Sequence, residues 1–140
     1  MKGQCLCGKV VFEIASEKLG IYHCHCSQCR RLTGTAFNTG CFVQSEDFSW
    51  NSGETEIKTY IDQSGYHSAF CRHCGSSTPN PSGASLYWIP AGTLEDSSSL
   101  EVKAHICIDS KADWDVIPKD VVQYATMPSL EEMTDLLRSK

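Results

Sequence analysis

The chain has 140 residues, a formal net charge of −5, an apolar fraction of 41% and nine cysteines. That length suffices for one domain with its own core. The acidic balance opposes a phosphate backbone and excludes generic nucleic-acid binding, and no apolar run approaches the ~18 residues of a membrane span.

In chain order, residues 10–14 (Val-Val-Phe-Glu-Ile) follow Gly8 and read as a strand. Residues 20–24 form a second strand, and residues 36–43 a third with Gly40 inside as a candidate bulge. Residues 56–61 alternate polar and apolar with period two; residues 66–70, 85–89 and 100–108 complete the predicted strands. Turn chemistry separates them at 51–53, 63–65, 79–83 and 96–99. Residues 27–32 suit one helical turn stopped by Gly34. A capping box, Ser129-Leu130-Glu131-Glu132, opens a terminal helix that carries Leu130, Met133, Leu136 and Leu137 at helical spacing. The expected fold is mainly β, a small domain of short antiparallel sheets tied by metal with a C-terminal helix packed on a sheet. Residues 1–140 read as one zinc-binding domain.

Met1-Lys2-Gly3-Gln4-Cys5 has no signal-peptide character, so a cytoplasmic location is expected, where thiols stay reduced. Seven of the nine cysteines then read as metal ligands in three clusters: Cys5-x-Cys7-Gly8, Cys24-His25-Cys26-x-x-Cys29 and Cys71-x-x-Cys74-Gly75. Seven bound thiolates and two zinc ions would take the net charge to about −8.

Two residues between Cys71 and Cys74 let the backbone turn so that both sulfurs reach one ion at about 2.3 Å, and Gly75 can take a positive φ behind them. Cys5 and Cys7, at i and i+2 of an extended segment, project to one face. The knuckle lacks two ligands and this pair supplies two. Cys5, Cys7, Cys71 and Cys74 therefore form the expected structural site.

Cys24, Cys26 and Cys29 remain. Three protein ligands and an open position describe a zinc that does chemistry. Closure by His23, His25, His73 or Cys41 is the alternative. Three thiolates leave the ion net negative, so the site suits thiol capture better than hydroxide formation. Arg30 and Arg31 follow directly and are candidates for binding a substrate carboxylate. Cys41 and Cys107 read as small buried hydrophobes, His105 as a surface strand residue, and Trp114 as a core or lid aromatic.

The motifs C-x-C-G, C-H-C-x-x-C-R and F-C-x-x-C-G, with Thr33-Gly34-Thr35-Ala36-Phe37, Ala91-Gly92-Thr93-Leu94-Glu95-Asp96 and the run from His105 to Trp114, resemble the glutathione-dependent formaldehyde-activating enzyme family, which includes centromere protein V. The resemblance covers about residues 3–118 and leaves 119–140 as an individual extension. It implies a fold shared with a small zinc-containing Rab exchange factor. It also implies a structural zinc on Cys5, Cys7, Cys71 and Cys74 and a catalytic zinc on Cys24, Cys26 and Cys29. The implied activity is carbon–sulfur lyase chemistry on glutathione and formaldehyde, giving S-hydroxymethylglutathione. Small-molecule thiol and aldehyde are the expected partners, with no nucleic acid and no membrane; monomer and homodimer both fit. A non-catalytic zinc module for protein binding and a lyase for another thiol are the alternatives.

Overall fold

The strands in chain order are β1 (Lys2–Gln4), β2 (Val11–Ile14), β3 (Leu19–Cys24), β4 (Asn38–Gln44), β5 (Phe48–Ser52), β6 (Ile57–Ile61), β7 (His67–Cys71), β8 (Asn80–Ser82), β9 (Leu86–Pro90), β10 (Leu100–Ile106) and β11 (Val122–Gln123). Helix α1 (Ser27–Thr33) follows β3, and α2 (Leu130–Arg138) ends the described chain. The structure, a computed structural model, describes residues 1–138; the last two residues of the expected C-terminal extension lie outside the described residues. The chain divides into two compact units: Met1–Glu17 with Phe42–Ser98, and Lys18–Cys41 with the chain from Ser99 onward.

The first unit is antiparallel throughout. β1, β2 and β5 make a three-stranded sheet, β6 and β7 a hairpin, and β8 and β9 another. Aromatic residues supply much of its apolar packing, which is why short strands suffice. Phe48 stacks on Tyr87 at 4.1 Å between ring centroids and meets Trp50 edge-on at 4.8 Å. Phe12 is fully buried beside both. Gly3, opposite Phe12 in the β1–β2 register, leaves room for that ring; a Cβ there would lie 2.2 Å from it.

In the second unit the strand order is β11-β10-β3-β4. β3 and β4 run antiparallel, but β10 is parallel to both β3 and β11. Parallel neighbours need a long crossover, and the chain supplies one by leaving β3 at Cys24 and returning only at Leu100. A purely antiparallel expectation misses this, because pairing direction is set by the path between strands and not by their residues. The bulge also falls elsewhere: Gly40 pairs with Tyr22 in unbroken register, whereas β10 slips between Val102 and Ala104.

The terminal helix forms as its sequence dictates. Ser129 N–H and Oγ–H both donate to Glu132 Oε2 at 2.8 Å, and Glu132 N–H returns a bond to Ser129 Oγ at 3.2 Å. These bonds satisfy donors that the first turn would otherwise leave open. α2 packs on β3 through buried Met133 and Leu137. Gly20 permits the approach, since a Cβ on it would sit 2.4 Å from the Leu137 carbonyl oxygen.

A tighter contact holds the first unit. Gly53 has φ +78° and a Cβ there would lie 2.0 Å from the Lys9 carbonyl oxygen, so both backbone angle and space require glycine. Gly53→Ala is expected to destabilise the protein by about 2 kcal/mol or more, read as a lower denaturant midpoint with an unchanged slope. A change within about 0.5 kcal/mol would contradict the close approach.

Candidate metal centre

Two groups of cysteine sulfurs gather in the fold, one in each unit, and each could hold a metal. In the first, the Sγ atoms of Cys5, Cys7, Cys71 and Cys74 all lie within 4.8 Å of one another. Cys7 Sγ is 3.6 Å from Cys5 Sγ and 3.8 Å from Cys71 Sγ. Sulfurs at the corners of a zinc tetrahedron with 2.3 Å bonds stand about 3.8 Å apart. The donor set therefore fits a soft divalent ion with no further ligand.

Two glycine turns shape this group. Gly8 and Gly75 have φ near +72° and +75°. Gly75 N–H donates to the Cys71 carbonyl at 2.8 Å, and Gly8 N–H to that of Cys5 at 2.9 Å. Val10 N–H then points at Cys5 Sγ from 3.3 Å. Ser76 Oγ accepts the Leu6 amide proton and lies 3.3 Å from Cys74 Sγ, where its hydroxyl can donate to a thiolate. Those Ser76 contacts bring the Cys74 thiol down to about 5. Val10, Trp50 and Ile57 pack against the buried Cys5 and Cys71, so the sulfurs sit in the unit's apolar core.

The second group is Cys24, Cys26 and Cys29, again mutually within 4.8 Å. Cys24 ends β3. Cys26 is the N-cap of α1, its sulfur accepting from Cys29 N–H at 3.4 Å, and Cys29 is buried in the first turn. Gly34, in the left-handed region at φ 67°, closes the helix by donating to the Arg30 carbonyl. A strand end and one helical turn thus wrap three sulfurs together, as the spacing predicts. The Cys29 thiol and burial push the Cys24 thiol far up. Such crowding is relieved when a cation takes the protons' place.

Neither flanking histidine joins the sulfurs. His25, fully buried, places Nε2 2.9 Å from His105 Nδ1 and Nδ1 2.9 Å from Asp115 Oδ2. The second approach is close but bent away from a straight hydrogen bond. Burial holds both rings below the usual histidine range. In the His25–His105 bond one ring nitrogen donates and the other accepts, the roles being set by the tautomers. His23 Nδ1 meets Thr39 Oγ1 at 2.7 Å; burial, then His105 and His25, bring that ring to about 4. These contacts hold the turn that carries Cys24 and Cys26. Of the other candidates for closure, His73 is engaged by Glu56 in the first unit. Cys41 is fully buried, and burial raises its thiol to about 12.

Several sequence expectations need correction. His105 is buried, 5% exposed, because its strand lies between two others. Trp114 is 72% exposed, so it is no core aromatic. Cys107 is buried as expected, but it follows directly on Ile106, the register partner of Cys24, and so lies beside the sulfur group. His105, Asp115 and Cys107 are the residues that sequence reasoning missed. Alternation alone marks the two faces of β10 but does not identify which of them is covered. Arg30 is half-buried, and its Nε is shielded without a hydrogen-bond partner; Arg31 is exposed.

The two sulfur groups generate a contrast. Cys71→Ser and Cys29→Ser are each expected to lower bound metal by one equivalent per chain, counted by native mass spectrometry. Cys71→Ser should also cost several kcal/mol and lower the thermal midpoint by about 10 °C or more. Cys29→Ser should leave the first unit folded. Equal metal content in wild type and either variant would contradict the corresponding site.

Comparison with known proteins agrees with this arrangement. A crystal structure of a Rhodobacter sphaeroides protein, a structural-genomics target, superposes with a TM-score of 0.56 at 24% identity, covering 89% of this chain and 99% of that one. At that identity the likeness speaks to fold alone. The model of the glutathione-dependent formaldehyde-activating enzyme family matches residues 1–110, a span that contains both sulfur groups. The chain belongs to the glutathione-dependent formaldehyde-activating enzyme family.

Proposed function

We propose that the protein is a zinc-dependent carbon–sulfur lyase that joins glutathione to formaldehyde, or reverses that addition, at the centre formed by Cys24, Cys26 and Cys29. The observation that carries this reading is the three-sulfur group itself, in a chain of this family. Cys5, Cys7, Cys71 and Cys74 would hold a structural zinc. Cys24, Cys26 and Cys29 would hold a second, which when bound lowers the pKa of a thiol at its remaining position.

The chain's own residues do the rest. Arg30 is half-buried beside the three sulfurs, and its guanidinium could make a charge-assisted bond to a glutathione carboxylate. Exposed Arg31 adds charge at the approach. His25, held between His105 and Asp115, keeps the Cys24–Cys26 turn in place while substrate binds and leaves. In the addition, the thiol sulfur bonds to the carbonyl carbon and the proton lost from sulfur ends on the carbonyl oxygen. The product is the S-hydroxymethyl adduct. This reading places the protein in the cytoplasm, where cysteines stay reduced and able to bind metal.

Exchange NMR of formaldehyde with glutathione tests the activity. The zinc-loaded protein should raise the exchange rate above the spontaneous one, and Cys29→Ser should return it to that background. Arg30→Ala should raise the KM for glutathione about tenfold to hundredfold with little change in kcat. Exchange no faster than the protein-free control would overturn the glutathione reading. Acceleration with a different thiol only would leave the lyase and change its substrate.

A further inference from the structure

We infer that Cys107 is a fourth protein donor of the centre formed by Cys24, Cys26 and Cys29. The inference rests on the metal reading of that cluster but not on the identity of its substrate. It begins with register. β10 runs parallel to β3 with Ile106 opposite Cys24, and Cys107 is the next residue. The strand ends at that register partner of Cys24, which brings the Cys107 side chain, one residue past it, into the neighbourhood of Cys24. Cys107 is 9% exposed, so the residue is shielded from solvent.

The backbone at this point is unusual. Cys107 is the one non-glycine among the described residues with positive φ, at φ 57° and ψ 39°. A left-handed cysteine costs about 1–2 kcal/mol, and such a position persists only when its surroundings over-determine it. They do. His25 N–H binds the Ile106 carbonyl at 3.0 Å on one side, while Ile108 and Asp109 N–H bind the Tyr124 and Ala125 carbonyls, both at 3.1 Å, on the other. Ser110 N–H closes a turn onto the Cys107 carbonyl at 3.1 Å. The first of these bonds comes from the residue between Cys24 and Cys26. The turn that aims two of the sulfurs is thus tied to the backbone that aims the fourth.

Cys107 is attached more loosely than the other three. It neighbours Cys24, whereas Cys24, Cys26 and Cys29 form the set whose sulfurs all lie within 4.8 Å of one another. A donor held through one neighbour is the one that yields when another thiol arrives. When another thiol arrives, Cys107 would be the donor to yield and to take the proton that the incoming thiol loses, so charge and proton count would be unchanged. Cys107 would then guard the position in which substrate binds.

Cadmium-113 NMR of the fully loaded chain decides the matter, since the shift moves downfield with each sulfur ligand and each centre gives its own resonance. Two resonances in the four-sulfur range are expected for the native sequence. Cys107→Ser should move one of them upfield by a one-sulfur step, leave the other in place, and weaken metal binding at that centre by tenfold or more. Cys107→Gly, which relieves the left-handed backbone while removing the sulfur, should show the same shift in a chain that folds at least as readily. A native spectrum with one resonance already in the three-sulfur range, unmoved by either substitution, would overturn the assignment while leaving the proposed reaction intact. A single resonance unaffected by Cys29→Ser would overturn both.

Discussion

Four sulfur atoms drawn from segments 64 residues apart meet in the core of the first unit, and the geometry of that unit follows from their meeting. Buried thiolates repel one another and are costly to remove from water. A divalent ion held there would turn that penalty into a cross-link between the chain start and the β7 turn. The short strands around it could not otherwise be stable alone, since β1 has three residues and β8 three. Gly8 and Gly75 take positive φ so that amides face sulfur, and Gly53 lets the Lys9 carbonyl approach. Each is a local concession to the same centre.

The second unit answers a different need. Its three sulfurs come from one strand end and one helical turn, within six residues, so they close no long loop and contribute less to the fold. They are instead held in place from behind, by a buried pair of imidazoles and a carboxylate on the chain that returns through β10. A centre so supported can exchange a ligand without loss of structure. This is the physical distinction between the two sites, and the ligand counts in the cysteine spacing already point toward it.

Much of this was legible in the residues because metal spacing, glycine turns and capping are local. The C-x-x-C-G knuckle, the Gly34 stop and the Ser129–Glu132 box each involve contacts within a few positions, and each stands where its motif places it. What escaped was non-local. The parallel direction of β10 depends on a crossover through Phe42–Ser98 of the first unit. The strands β5 and β8 read as turn or coil, since Asn51-Ser52 and Pro79-Asn80-Pro81 carry turn chemistry that pairing overrides. Cys107 lay hidden for the same reason. A cysteine after an apolar strand looks like filler until the register sets its neighbour Ile106 opposite Cys24.

The central claim is that one sulfur centre holds the fold and the other is free to react. Stepwise chelation, followed together by native mass spectrometry and circular dichroism, tests it most directly. The account predicts that the first ion leaves with the secondary structure intact and formaldehyde–glutathione exchange lost, and that the fold collapses only when the second ion follows. Simultaneous loss of both ions with unfolding, or unfolding on removal of the first, would contradict it.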